Sequence, residues 1–600
     1  MAVETNDKKL SELLKWVENG NAQLPEFQRD WVWDDFKICK LIESITSGYP
    51  MGAAMFLANG GENIRFKCRK FVGVPDDVNA EPEYLVLDGQ QRLTTLFQVF
   101  KCKTPVYTRL DTKKDKTIRR FYYLDIKKCL NPDEDRLDAI ISISDKRVIT
   151  SEIGRKIELD LTTPEKEYEN MMFPLNIVFS EKELDEWRWG FEEFEKNNRY
   201  IFRDFMMKII RPILDYVMPV IKLDKETPKE AVCQIFENVN TGGVPLTVFE
   251  LVTATFAADE YNLREDWNNI RKEFLNKKTD ILKDITGANF IAAMTLLVTY
   301  KKSLKGIGSV SCKKRDVLRL DLDDYRSNHD SLVRGFIDAA NFLVHQGIYR
   351  AQDLPYTTQI IPLAAIFAFD NEQVEKKLKL NHNIDLLSQW YWCGVFGELY
   401  GGANEARFAV DIVSVFEWMN GKDKPDTVIR ANFQPTRLLS MQTRNSAAYK
   451  GVMALIMQDS PIDFMTGHKM DVASFVDEET DIHHIFPQAH CEGKDYPSKK
   501  WNSVVNKTPI YASTNRSIGG RAPSEYVKTM KNKGLSDELI IQALESHKIN
   551  SSLLMSDAFD DYFVDRAKQL LDRIEVATGK SISGRDSEET IREFGESLSK

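Results

Sequence analysis

Residues 481–490 read DIHHIFPQAH. The whole 600-residue chain has eight histidines, and three of them, His483, His484 and His490, fall in this one stretch. Successive side chains of a strand point to opposite faces. His483 and His484 can therefore serve one site only where a strand ends and its pleat breaks, and Pro487 fits such an ending. Asp481 lies on the same strand face as His483. Downstream come Asn502, Asn506 and Asn515, and then the helical pattern EYVKTMK. The bland alternative is a pair of core or cap histidines. His490 and Cys491 read as loop residues, because no second Cys or His pair completes a zinc site.

This series resembles the HNH nuclease motif of the ββα-metal fold. In that motif a metal ligand is followed at once by the catalytic histidine, then an apolar residue, any residue and proline, with two asparagines downstream. The resemblance implies that His484 is the general base, that His483 and Asn515 hold one divalent metal, and that Asn506 orients the catalytic histidine. Asp481 is an additional or alternative ligand. The residue types suit phosphodiester hydrolysis. A neutral imidazole takes the proton of the attacking water, and one hard cation, Mg²⁺ or Mn²⁺, neutralises charge at the scissile phosphate. The first position of the histidine pair is often acidic in this family and is histidine here.

A second motif lies far upstream. YLVLDGQQRLTTLFQVF (84–100) reads as strand, Asp-Gly turn and helix. A helix start presents free N–H groups and the positive end of the dipole, which favour anions such as phosphate, and Arg92 offers a guanidinium fork. Taken alone, a turn with a polar helix cap explains the pattern. With LPEFQRDWVW (24–33), LIESITSGYPMG (41–52), IFENVNTGGVPLTVFEL (235–251) and YGGANEARFAVDI (400–412), the segment resembles GmrSD-type restriction proteins, whose N-terminal domain is related to the ParB/sulfiredoxin-like fold. The resemblance covers most of residues 8–530.

That family consists of type IV restriction enzymes acting on invading DNA with modified bases or backbone. The likeness implies a nucleotide-binding and nucleotide-hydrolysing site at Gln28, Arg29, Asp88, Gly89, Gln90, Gln91 and Arg92, with Asn240 and Gly242 lining it, fed by a nucleoside triphosphate, ATP or GTP. Trp31 and Trp33 are candidates for stacking on a base or for buried anchoring. Double-stranded DNA, in particular modified phage DNA, is the expected substrate. A homodimer would let a one-strand cutting site reach both strands. Two other readings belong to different classes. One is a nucleotide-hydrolysing sensor with an inactive HNH remnant. The other is a ParB-like nuclease whose C-terminal domain grips DNA.

Bulk composition agrees with a globular, multidomain chain: 42% apolar and 29% charged residues over 600 positions. No signal peptide is visible, and the apolar run FIAAMTLLVTY (290–300) is too short to span a bilayer. Eight scattered cysteines without a Cys-x-x-Cys pair fit a reducing compartment, so a cytoplasmic protein without membrane association is expected. The net charge of −10 argues mildly against nucleic acid, but two basic islands stand out. Residues 101–120 carry eight Lys/Arg against two Asp, and 491–533 carry nine against three acids.

The expected fold class is α+β multidomain. A ParB/sulfiredoxin-like α/β domain spans 1–250, a helical domain 251–420 and a ββα-metal (HNH) endonuclease domain 430–560, with an acidic helical tail over 561–600. GKDKPDT (421–427) is the candidate linker, and 101–220 reads as less regular.

Overall fold

The computed structural model describes residues 3–26, 28, 30–60, 66–110, 113–151, 156–228, 231–232, 235, 247–275, 280–369, 381–402, 404–471 and 480–599. The chain divides into two compact units, Met1–Asn262 and Leu263–Lys600.

The first unit is built on the sequence signals that surround DGQQR. Its strands β1 (Val3–Lys9), β2 (Ala22–Pro25), β3 (Ala54–Ala58), β4 (Cys68–Arg69) and β5 (Tyr84–Asp88) are joined by a second group: β6 (Val106–Leu110), β7 (Lys113–Asp125), β8 (Ile140–Ser144), β9 (Val148–Ser151), β10 (Lys156–Asp160) and β11 (Met172–Pro174). The strand β12 (Val217–Leu223) returns to the first group. The main sheet is mixed, in the order β1-β12-β3-β5-β2-β4. Its middle strand β3 is buried from Ala54 to Leu57, as an apolar run without alternation requires. The helix Asp35–Thr46 packs Ile38, Leu41, Ile42 and Ile45 inward, on the 3.6-residue period, and Asp34 caps it by accepting from the Lys37 amide.

Residues 101–220 are more ordered than their sequence suggests. β6, β7, β8 and β11 make a four-stranded antiparallel sheet, with β9 and β10 as a separate hairpin. The basic island 101–120 falls on the β6–β7 pair, where Arg119 lies 5.0 Å over the Tyr107 ring. The strands escaped notice because charge masks their alternation.

Among the described residues, the second unit is helical from 263 to about 460. Gly287–Ser303, Leu322–His345, Ile360–Phe367, Asn381–Phe396 and Glu405–Met419 carry its aromatic core. Position 250 lies inside the helix Val248–Ala257, which starts at the Thr247 cap with its Glu250 partner. Position 560 lies inside the helix Phe559–Thr578. The supposed linker is packed: a short helix starts at Asp426, and the buried Thr427 hydroxyl donates to the buried Asp411 at 2.7 Å. Composition marked the polar surface of 421–427 and missed this inward hydrogen bond.

Two further strands, β13 (Thr480–His484) and β14 (Lys507–Tyr511), pair antiparallel, with His483 opposite Thr508 and His484 opposite Lys507. The helix Ala512–Ile518 follows β14 directly.

Candidate active site

The β13–β14 hairpin and its helix assemble the histidine cluster. The pleat sends the two imidazoles to different surroundings. His483 is 2% exposed, with the rings of Phe464 and Tyr526 edge-on at 6.3 and 5.9 Å. His484 is half-buried beside Trp501, its ring centroid 5.9 Å away. It is the last paired residue of β13, with Pro487 close behind.

Asp481, His483 and Asn515 come together. His483 Nδ1–H donates to Asn515 Oδ1 at 2.9 Å, and Asn515 Nδ2 donates to Asp481 Oδ2 at 2.7 Å. Asn515 reaches this point from the first turns of the helix that follows β14, an orientation fixed by Asp463. That buried carboxylate accepts from Tyr511 N at 3.1 Å and from Thr514 Oγ1 at 2.7 Å, and it also gathers the Met465 and Thr466 amides at 3.0 Å. Asp463 went unnoticed in the sequence because it lies in a separate loop, where an aspartate reads as an ordinary turn former.

Burial pushes His483 down to about 4, so its ring is neutral at ordinary pH. His484 is also lowered, first by burial and then by the Lys507 charge, while its Asn502 contact pulls the other way. His484 Nε2–H donates to Asn502 Oδ1 at 3.3 Å, which leaves Nδ1 as the ring's acceptor atom. Lys507 Nζ donates to the same Asn502 oxygen at 2.8 Å and to the Gln442 carbonyl at 2.7 Å, and burial lowers Lys507 to about 8.

Asn506 does not touch either imidazole. Its amide accepts from Phe486 N at 2.9 Å and donates to the Phe486 and Trp501 carbonyls at 2.9 Å each. It clamps the backbone just past His484 through these local hydrogen bonds, and Asn502 makes the side-chain contact to the His484 ring.

The three donors fit a hard divalent cation. An imidazole nitrogen, an amide oxygen and a carboxylate oxygen stand in one hydrogen-bonded chain. His483 Nε2 has no hydrogen-bond partner, so the ring proton can move there from Nδ1 at the expense of the Asn515 contact alone. Among the described residues no group of three His, Cys, Asp or Glu side chains could hold a metal, and here the third donor is an amide.

The second candidate site surrounds the end of β5. Gly89 has φ +86° and opens the helix Gln90–Phe100, and a Cβ there would lie 3.3 Å from the Ala54 backbone. Gln28 Nε2 donates to the Val86 and Leu87 carbonyls at 2.6 and 3.0 Å. Gln91 accepts from Val32 N at 3.0 Å and donates to the Asp30 carbonyl at 3.1 Å. Gln90 is buried, 7% exposed. Arg92 hydrogen bonds the Met51 carbonyl, the Ala53 carbonyl at 2.8 Å and Asp88 at 3.2 Å, so its fork shapes the loop before β3. Gly52, at φ +86°, lets that fork in, since a Cβ would stand 2.2 Å from Arg92 Nη1. Trp31 donates its indole N–H to Thr95 at 2.9 Å, and both Trp31 and Trp33 are half-buried against the core, which makes them anchors. Asp88, Gly89, Gln91, Arg92 and Gln28 thus share one corner, while Arg29, Asn240 and Gly242 lie outside the described residues.

Residues 10–257 match the family described as GmrSD restriction endonuclease, N-terminal domain. Over 591 residues the chain is 30% identical to an uncharacterized protein of Methanocaldococcus jannaschii, covering 92% of this chain and 93% of that one. The chain carries a GmrSD-like restriction endonuclease N-terminal domain. The matched segment lies within the first compact unit and contains the DGQQR corner. The match supports a type IV restriction-like nuclease that acts on DNA. Among the described residues no helix is long and apolar enough to cross a membrane.

Proposed function

We propose that this GmrSD-like nuclease cuts modified DNA at the β13–β14 hairpin, by the HNH type of hydrolysis, under the control of a nucleoside triphosphate bound at the DGQQR corner. The observation that carries the reading is the chain Asp481–Asn515–His483 set one residue from a second imidazole with a free acceptor nitrogen.

His483 through Nδ1, Asn515 through Oδ1 and Asp481 would hold Mg²⁺ or Mn²⁺. The cation supplies charge neutralisation at the scissile phosphate and the leaving oxygen. The residues do the rest. His484 stands at the end of β13 within reach of a phosphodiester, while His483, on the opposite face of the strand, would act only through the cation. His484 Nδ1 takes the proton of the attacking water, and its lowered proton affinity keeps it available at neutral pH. Asn502 fixes the tautomer by accepting from Nε2. Asn506 fixes the backbone turn that ends the strand.

At the other site the backbone N–H groups at the start of the helix Gln90–Phe100 face the nucleotide phosphates, beside the half-exposed Asp88. Arg92 acts there by holding the 51–53 loop. A second copy of the chain supplies the cut on the opposite strand.

The deciding experiment is a cleavage panel with the full chain. Unmodified, hydroxymethylated, glucosylated and phosphorothioated duplexes are incubated with ATP or GTP and with Mg²⁺, Mn²⁺ or chelator. Metal-dependent cutting of one or more modified duplexes, altered by nucleotide, is expected. Full cutting in chelator removes the metal assignment, and indifference to nucleotide removes the regulatory one.

A further inference from the structure

The face of β13 that carries Thr480 and Ile482 also carries His484, by strand alternation. Against Thr480 and Ile482 lies a cavity of about 50 Å³ whose wall includes Arg350, Asp353, Arg444 and Lys450. It opens to solvent. Arg350, Arg444 and Lys450 share that wall with the single carboxylate Asp353. The space exceeds the ~10–15 Å³ that one water needs. Lys450 is held by donating to the Leu354 carbonyl at 3.0 Å, so its ammonium is placed rather than free to wander. Arg444 reaches beyond the cavity: its guanidinium stands 3.7 Å from Asp481, at the edge of the donor set. It is half exposed, with 51% of its side chain accessible.

We propose that this cavity seats a backbone phosphate of the bound DNA strand, next to the phosphate that is cut. The site rests on the nuclease reading given above and adds to it the path of the strand. A diester lying across the end of β13 continues along the His484 face, and the next phosphate falls among Arg444, Lys450 and Arg350. Phosphate positions a strand without reading its sequence, so this subsite fixes where the cut falls and leaves the choice of modified target to other parts of the chain. The guanidinium of Arg444, between that phosphate and Asp481, couples strand seating to the donor set.

The test uses the full chain carrying His484→Ala, in chelator, so that a labelled duplex is bound without being cut. Affinity is measured at 50 and 200 mM salt. Each phosphate contact contributes about 0.9 to the slope of log affinity against log salt. Arg444→Gln and Lys450→Gln are each expected to shrink the ratio of the two affinities by about 3.5-fold, equally for modified and unmodified duplexes. Thermal unfolding is followed in parallel. Lys450→Gln gives up the Leu354 contact, whereas Arg444→Gln alters a half-exposed side chain and keeps the test open if the former fails to fold. An unchanged slope in Arg444→Gln overturns the site. So does a millimolar nucleoside triphosphate that displaces duplex from the parent and not from Arg444→Gln, which would make the cavity a nucleotide subsite. The two readings fail separately. A reduced slope in a chain that never cuts DNA keeps the phosphate site and removes the nuclease assignment. Cutting with an unreduced slope does the reverse.

Discussion

His483 and His484 are chemically alike and placed in different surroundings. His483 is sealed among rings and shares its only hydrogen bond with a proposed metal ligand, while His484 stands at the strand end with Asn502 on one nitrogen and an open acceptor on the other. Their substitutions should therefore fail differently. His484→Ala is expected to lower the cleavage rate by ~10²–10⁴-fold, with no recovery at any metal concentration. His483→Ala should also lose cleavage, but excess Mn²⁺ should restore part of it. A single-turnover assay over a range of Mn²⁺ separates the two, and rescue of His484→Ala by metal would exchange the roles. The His-His-x-x-Pro run and Asn515 were legible in the sequence because the motif fixes their spacing. The contact from Asn502 to the His484 ring was not, since two asparagines four residues apart around a short turn carry no sign of which one reaches the imidazole. Arg92 shows the same blindness: a guanidinium at a helix start looks like a phosphate fork until the carbonyls of Met51 and Ala53 are seen to occupy it.

Strand, helix and loop have to agree before the donors meet. β14 sets the start of the helix Ala512–Ile518, and that helix sets Asn515. The element is only seven residues long, too short to hold itself by propensity. Asp463 supplies what it lacks, binding the amide before the first turn and the Thr514 hydroxyl within it. Asp463→Ala strips five hydrogen bonds from buried or half-buried groups. With ~1–3 kcal/mol for each buried group left unsatisfied, it is expected to destabilise the unit by at least about 3 kcal/mol, and to weaken metal-dependent cutting more than DNA binding. Urea unfolding and a binding isotherm on the same sample check this, and a loss under 1 kcal/mol contradicts it. The strands around DGQQR were readable because β3 and β5 are apolar runs bounded by turn residues. The sheet at 106–174 was not, because its longest strand begins with a run of lysine and arginine.

At the scale of the whole molecule, burial of titratable groups ties stability to pH. His547 is fully buried behind the hairpin, bonded to Thr508 Oγ1 at 2.7 Å and to the Ile462 carbonyl at 3.0 Å, and burial pushes it down to about 3. His483, at about 4, behaves likewise. Both bind protons less readily folded than unfolded. Their contribution is complete above the unfolded value of ~6.5. It is lost as pH falls from there toward the folded values, because the unfolded chain gains protons that the folded one refuses. By pH 5 the loss is ~2 kcal/mol for each imidazole. Urea midpoints of the second unit should drop between pH 7 and pH 5, and His547→Gln should flatten the drop. A midpoint indifferent to pH in the parent chain contradicts the assignment.

The helix Phe559–Thr578 holds one more buried group, Arg566, with no exposed surface. Its guanidinium donates to the Val505 carbonyl, to Lys507 O at 3.0 Å and to His547 O at 3.2 Å, which ties down the turn that leads into β14. The order of synthesis gives this contact a meaning. The ribosome delivers the histidine strand and both asparagines well before it delivers Arg566. During that interval the turn before β14 lacks its tie. A nascent chain halted before Phe559 should carry every proposed ligand and still leave DNA uncut.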